Sequence, residues 1–119
     1  MACHELRLHP APFEKIKAGT KTIEMRLWDD KRQQLRVGDQ LVFYKRPEEV
    51  QTLTCTIVAL HRFPSFKAMC EALPVEQMGY EGEALAAWQT HRDPGMAAFY
   101  SAEDEARYGV VGIEVAVMA

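Results

Sequence analysis

The stretch from Phe13 to Trp28 constrains the fold of this chain more tightly than any other segment. Its first part predicts a short amphipathic helix over Pro10–Ala18, which places Phe13 and Ile16 on one face. Gly19 follows directly, at the position where a left-handed residue commonly ends a helix. The chain must therefore turn within a few residues and pass at once into the next element.

The residues after this glycine alternate as expected for a half-buried strand. One face carries Ile23, Met25 and Leu27, and the other face carries Thr22, Glu24 and Arg26. Lys21 stands at the corner between helix and strand, outside the alternation. The segment thus joins a core-forming face to an acid and a base at fixed spacing, with a second base beside them.

The rest of the chain predicts strands with few helices between them. Strands are expected over residues 5–9, 40–46, 51–61 and 110–117, and helices over 66–73, over 83–92 and after Ser101. In the strand 51–61, alternation places Leu53, Cys55, Ile57 and Ala59 on one face. The order predicts an α+β fold, a curved sheet or barrel of about five or six mostly antiparallel strands with flanking helices. A helical insert of roughly 45 residues precedes the last strand, and we expect residues 1–119 to form a single domain.

Charge is distributed unevenly along the chain. Residues 1–67 hold 12 Lys and Arg against 8 Asp and Glu, a net of +4, whereas residues 68–119 hold 2 against 9, a net of −7. A basic half suits an anionic ligand such as a nucleic-acid backbone. The acidic half leaves a protein-interaction module open as one alternative. An ordinary solvated surface is another.

Other classes of protein are disfavoured. No apolar run approaches the roughly 20 residues of a membrane helix, and the first residues lack the basic and apolar regions of a signal peptide. We therefore expect a cytoplasmic protein with no membrane partner. The three cysteines show no C-x-x-C spacing, and the four histidines show no metal-ligand spacing. Neither a metal nor another cofactor is expected.

Three blocks of the sequence resemble a known family. Gly19, Lys21, Glu24 and Arg26 form a G-x-K-x-x-E-x-R pattern after the amphipathic helix, and Val37-Gly38-Asp39 precedes the next strand. The third block runs from Tyr100-Ser101 through Tyr108-Gly109 to Glu114 in the last strand. Together these blocks resemble the ASCH domain family, the activating-signal-cointegrator homology domains, and in particular its small bacterial members.

This resemblance implies a PUA-like β-barrel with a cleft between the barrel and the first helix, lined by the G-x-K-x-x-E-x-R residues. It also implies binding of RNA or a nucleotide-derived ligand. Some members of the family resemble amidohydrolases that remove an acyl group from N4-acetylcytidine, and others are described as ribonucleases. The amidohydrolases use a lysine, a threonine three residues later and a glutamate from the later helical region. Lys21 matches the lysine, Glu24 stands in place of the threonine, and Glu71 and Glu76 are candidates for the glutamate.

The candidate ligand-binding set is Lys21, Glu24, Arg26, Trp28 and Tyr44. The three charged residues would bind an anionic or base-like group, and the two aromatic rings would stack on bases. Lys21 and Glu24 are the candidate catalytic residues if the protein is an enzyme. The alternatives are a surface salt bridge between Glu24 and Arg26, a Trp28 that covers one end of the barrel, and a Tyr44 that packs on the helical insert.

Overall fold

A computed structural model describes residues 1–118 as five strands and four α-helices. The strands are β1 (Cys3–Leu8), β2 (Ile23–Leu27), β3 (Gln40–Lys45), β4 (Thr52–Phe63) and β5 (Val110–Val117). The helices are α1 (Pro10–Ala18), α2 (Phe66–Ala72), α3 (Gly82–His91) and α4 (Ala102–Tyr108), and 3-10 turns cover Arg32–Gln34 and Val75–Met78. Among these described residues, no helix is long and apolar enough to span a bilayer.

The five strands form one curled sheet in the order β1-β3-β4-β5-β2. β1 and β3 are parallel, and the other three neighbouring pairs are antiparallel. β1 and β2 are therefore the two edges, and the curl brings them together so that the Arg26 guanidinium donates to the Arg7 carbonyl oxygen at 2.9 Å. The prediction of an α+β, PUA-like fold with mostly antiparallel strands and a helical insert before the last strand is confirmed.

Two hydrophobic cores lie on opposite sides of the sheet. The first is closed by α1, which contributes Phe13 and Ile16 to a cluster with Leu6, Leu8, Leu35, Leu41, Phe43, Cys55, Ile57, Val111, Ile113 and Val115. The second lies under the helical insert and contains Ile23, Met25, Leu27, Phe66, Met69, Cys70, Val75, Met78, Tyr80, Trp88 and Val110. Since the three apolar residues of β2 all enter the second core, the polar face of β2 is turned toward the first core and α1.

β4 differs from the expected strand in length and in alternation. It continues to Phe63, and its pairing with β5 shifts between Ile57 and Ala59. The extra residue of a bulge reverses the alternation that follows it, so the placement of Ala59 on the face of Ile57 was wrong. Leu60, which pairs with Ile113, takes that face and packs on the first core. Arg62, two residues later, shares the same side of the sheet.

The turn after α1 forms as its sequence predicts. Gly19 has φ +84°, and its N–H donates to the Ile16 carbonyl oxygen at 3.1 Å. The Lys21 N–H then donates to the Lys15 carbonyl oxygen at 3.1 Å. These bonds end the helix and place Lys21 at the entry of β2, next to the polar face of that strand.

Candidate functional site

A pocket of about 370 Å³ opens at the seam where the two edge strands meet. β1 and the start of α1 form one wall, β2 forms the floor, and the segment 96–100 of the helical insert forms the opposite rim. The lining residues are Arg7, Leu8, His9, Pro12, Lys21, Glu24, Met25, Arg26, Arg46, Met96, Phe99 and Tyr100. The pocket forms because β1 and β2 do not pair with each other within residues 1–118, so a gap remains between these two edge strands.

The floor of the pocket is an ion-paired triad of Lys21, Glu24 and Arg26. The Lys21 Nζ lies 2.8 Å from Glu24 Oε1, and the Arg26 Nε lies 2.9 Å from Glu24 Oε2. Lys21 is 8% exposed and Glu24 is 6% exposed, so both charges are withdrawn from bulk water. Each oxygen of the carboxylate therefore holds one cation in a fixed position.

The triad keeps Glu24 ionised. Burial acts most strongly on this carboxyl and raises its pKa, but the charges of Lys21 and Arg26 and their hydrogen bonds together outweigh it. The net result is a pKa below the ordinary value of a glutamate. Near neutral pH, Glu24 thus serves as an anion that positions two cations at the floor of the pocket.

A neighbouring turn covers the side chain of Lys21. Gly79 lies at the end of the Val75–Met78 turn with φ +92°, and a Cβ at this position would lie 3.1 Å from Lys21 Cδ. The Thr22 N–H donates to the Gln77 carbonyl oxygen at 2.8 Å, and Lys15 Nζ donates to the Gly79 carbonyl oxygen at 3.1 Å. These bonds join the helical insert to the start of β2 and to α1, and the insert buries the aliphatic part of Lys21 while its ammonium group reaches Glu24.

The pocket carries more positive than negative charge. Arg7, Lys21, Arg26 and Arg46 line it against the single carboxylate of Glu24. Arg7 also pairs with Glu49 at 3.2 Å on the surface. Arg46 is exposed, and its guanidinium makes no hydrogen bond or ion pair with any residue in 1–118. This excess of positive charge favours an anionic ligand, because guanidinium and ammonium groups donate strong hydrogen bonds to anionic oxygens.

The rim opposite α1 is apolar and aromatic. The Phe99 and Tyr100 N–H groups both donate to the Met96 carbonyl oxygen at 3.0 Å, which closes the segment into a turn. Phe99 is 64% exposed at the mouth of the pocket. Tyr100 stacks on Phe66 with ring centroids 5.4 Å apart, and its pKa is raised mainly by burial. A flat ligand entering the pocket would meet an exposed phenyl ring on this side.

The structure brings together three of the five candidate ligand-binding residues, namely Lys21, Glu24 and Arg26. Trp28 lies outside the pocket, half-buried against the first core, with the Arg62 guanidinium 4.8 Å from the centre of its ring. Tyr44 also lies outside the lining, and its hydroxyl donates to Glu5 at 3.0 Å while Arg7 covers its ring at 5.0 Å. Tyr44 thus packs on β1 rather than on the helical insert.

The two candidates for a later glutamate do not line the pocket. Glu71 lies on α2 and Glu76 lies in the Val75–Met78 turn, and both are exposed. Among the described residues, Glu24 is the one carboxylate that lines the pocket. The cysteines are equally remote, and burial raises the pKa of the Cys55 thiol to about 11, so this thiol is neutral near pH 7.

Arg7, His9, Arg46, Phe99 and Tyr100 line the pocket but were not among the candidates. Arg7 alternates with Leu6 and Leu8, which places it on the non-core face of β1, and His9 follows the strand as the residue before α1. Their proximity to β2 depends on the curl of the sheet and carries no local signal. Within residues 1–118 no group of three or more His, Cys, Asp or Glu side chains is arranged to hold a metal ion.

Comparison with known proteins gives a family and a fold. The model of the ASCH domain matches residues 6–118. The crystal structure of hypothetical protein PH0355 is 31% identical, covers 98% of this chain and 99% of its own, and superimposes with a TM-score of 0.77. The solution structure of protein PF0455 from Pyrococcus furiosus is 29% identical, covers 98% and 97%, and has a TM-score of 0.66. No curated protein matches the chain.

Proposed function

This chain belongs to the ASCH domain family, and from that premise we propose that it binds RNA or a nucleotide-derived ligand in the basic pocket between β1 and β2. The excess of cations in that pocket carries the proposal. Four basic side chains converge on a space of about 370 Å³, and the one carboxylate among them is already bonded on both oxygens. A phosphate group would supply the missing negative charge.

The arrangement suits a phosphate and a base at once. Arg46 and Arg7 lie at the exposed side of the pocket, where a guanidinium binds two phosphate oxygens through parallel hydrogen bonds. Phe99 offers an exposed ring at the mouth, and stacking on such a ring binds bases without strong sequence preference. Lys21 and Arg26 are fixed at the floor by Glu24 and present a preorganised positive field to the ligand.

Binding is tested by titrating the protein with the four ribonucleoside 5′-monophosphates and with a mixed-sequence single-stranded RNA octamer at low salt. Arg46→Gln removes one guanidinium of the pocket that makes no hydrogen bond or ion pair within residues 1–118, so we expect weaker binding of both probes with unchanged stability. The matched control is Arg92→Gln, because Arg92 is an exposed arginine stacked on a tryptophan outside the pocket. Equal affinities for the wild type and Arg46→Gln would contradict binding in this pocket.

An enzyme is the second candidate, favoured by the Lys21–Glu24 pair inside the pocket at 2.8 Å. The pocket lining within residues 1–118 contains no serine, threonine or cysteine, so a hydrolase acting on N4-acetylcytidine would lack the hydroxyl expected from the resemblance. A ribonuclease that cleaves by attack of the ribose 2′-hydroxyl needs no such group, and His9 lines the same pocket as a candidate acid or base. Incubation with N4-acetylcytidine and with end-labelled RNA separates the two reactions. If both substrates remain intact, the enzyme hypothesis is wrong and binding is the remaining function.

A further inference from the structure

A second recess lies beyond the end of β2, where that strand meets the end of β4 and the residues before β5. It has a volume of about 300 Å³ and is walled by Trp28, Phe63 and Tyr108, with Arg62 at its mouth. Three aromatic side chains and an arginine thus surround a concave surface that the pocket at the seam does not include. This combination is typical of surfaces on which unpaired bases stack.

The recess and the pocket are adjacent in the sheet. Trp28 follows Arg26 by two residues on the polar side of β2, so the two side chains emerge about 7 Å apart along the strand. Across the sheet, Arg26 pairs with Val111 and Val111 pairs with Arg62, a separation of about 10 Å for two strand spacings. Phosphates or bases of neighbouring nucleotides span distances of this order.

Backbone contacts join the segments that line the recess. The Trp28 N–H donates to the Gly109 carbonyl oxygen at 3.0 Å, which fixes the backbone of Trp28 beside the start of β5. Gly109 has φ +70°, and a Cβ at this position would lie 3.1 Å from the Phe63 carbonyl oxygen. A side chain at this position would therefore crowd the backbone of β4 in a left-handed conformation, so glycine is favoured at this corner of the recess.

Arg62 adds a positive charge and a planar guanidinium group to the recess. It is exposed, and its guanidinium lies 4.8 Å from the centre of the half-buried Trp28 ring. Arg107 lies 5.1 Å from the centre of the Tyr108 ring and adds a second cation. The acidic residues of α4 lie in its first turn, and Glu105, the one nearest to Tyr108 in the sequence, accepts a hydrogen bond from the Phe66 N–H at 2.7 Å. A base can stack on the guanidinium plane or replace it on the indole, with a phosphate close to either arginine.

We propose that Trp28 and Arg62 form a second nucleobase site, and that the ligand is a single-stranded RNA segment rather than a mononucleotide. One nucleotide would occupy the pocket at Lys21 and Arg26, and a neighbouring base would stack in the recess. The inference rests on the proposed function, since the first nucleotide is held by that pocket. A duplex does not fit this arrangement, because its bases are already stacked and paired.

The test compares chain length and strandedness with matched variants. Affinities are measured for the four ribonucleoside 5′-monophosphates, for the single-stranded octamer and for its duplex, at low salt. The variants Trp28→Leu and Arg62→Gln each remove part of the recess, and Arg92→Gln removes an arginine from the face of Trp88 elsewhere. In a Trp88→Phe background, Trp28 becomes the chain's single tryptophan, so quenching of its fluorescence reports stacking directly.

We expect the octamer to bind more tightly than any monophosphate and more tightly than the duplex. Trp28→Leu should weaken octamer binding about tenfold, the loss of one base-stacking contact, and leave monophosphate affinity unchanged. Octamer, but not monophosphate, should quench Trp28. Circular dichroism melting shows whether the variants are folded, and Arg62→Gln changes an exposed side chain and does not depend on the packing of the indole.

Equal affinities of octamer and monophosphate, or an octamer affinity unchanged in both Trp28→Leu and Arg62→Gln, would overturn the second site and leave the proposed function intact. A protein that binds neither octamer nor monophosphate would overturn both proposals. These outcomes separate the recess from the pocket because Arg46→Gln affects both probes, whereas the recess variants affect the octamer alone.

Discussion

Replacing Glu24 by glutamine is the most direct perturbation of the site. The amide keeps the size of the side chain but loses its charge, so Lys21 and Arg26 remain close together at the floor of the pocket without an anion between them. Lys21 is 8% exposed and the Arg26 side chain is 16% exposed, so solvent screens the two cations poorly. We expect Glu24→Gln to destabilise the fold and to disorder the binding groups together.

The magnitude follows from burial. Removing one partner of a buried ion pair costs about 3–5 kcal/mol, because the remaining charge is left without compensation. The glutamine oxygen still accepts one hydrogen bond, so the lower end of that range applies, about 3 kcal/mol. For a chain of 119 residues this corresponds to a midpoint lowered by roughly 10 °C.

Urea denaturation at pH 7 measures the loss, with equal slopes required for the comparison. The matched control is Glu14→Gln, because Glu14 pairs with Lys45 at the same 2.8 Å but on the surface, and this variant should lose much less stability. A double-mutant cycle of Glu24→Gln with Lys21→Met isolates the pair itself. If Glu24→Gln and Glu14→Gln change the free energy of unfolding equally, the triad does not behave as a buried pair and the reasoning is refuted.

Three further predictions use the same features. The pKa of Glu24 is depressed in the folded state, so its contribution to stability is present above the unfolded value of 4.5 and is lost as pH falls through the folded value; acid titrations should show a steeper loss of stability below pH 4.5 in the wild type than in Glu24→Gln. Gly79→Ala should destabilise the fold by about 1–2 kcal/mol, because its backbone is left-handed, and it should also weaken ligand binding, because the new methyl group presses on Lys21. The control Gly38→Ala has a similar φ of +96° with open space around it, so it should affect stability alone. Equal effects of the two variants on binding would contradict the contact with Lys21. Of the three free cysteines, Cys3 is exposed, and Cys55 and Cys70 are buried with raised pKa values. A thiol reagent at pH 7 should therefore modify Cys3 rapidly and the other two cysteines only after unfolding. Rapid reaction of two or three thiols in the native protein would contradict this burial.

The strands and helices were largely predictable because their signals are local. Gly19 ends α1 where expected, Ser65 and Ser101 cap α2 and α4 through bonds to Ala68 and Asp104, and β5 has the bounds 110–117. The failure in β4 has a physical cause. A bulge depends on how two distant strands pair, and no pattern within residues 51–61 contains that information.

The candidate site divides along the same line. The charged face of β2 is a local pattern, and the sequence identified Lys21, Glu24 and Arg26 from it. Arg46, Phe99 and Tyr100 lie near them only because the curl of the sheet and the return of the helical insert bring distant segments to one seam. Trp28 shares the face of Arg26 by alternation, yet it lies in a separate recess beyond the end of the strand.

The sequence by itself determined most of the elements, the placement of Glu24 and Arg26 on one face of β2 with Lys21 beside it, and the family. Alternation, capping and turn residues act over a few positions, so they can be seen in the chain before it folds. Only the tertiary structure decided that Glu24 is buried with a cation on each oxygen, that Gly79 covers Lys21, and that Arg62 lies over Trp28. The contacts of Gly79 with Lys21 and of Arg62 with Trp28 join residues from separate elements, and the burial of Glu24 depends on the segments that pack around β2. These features are set by strand order and by the packing of the insert, which no local segment encodes.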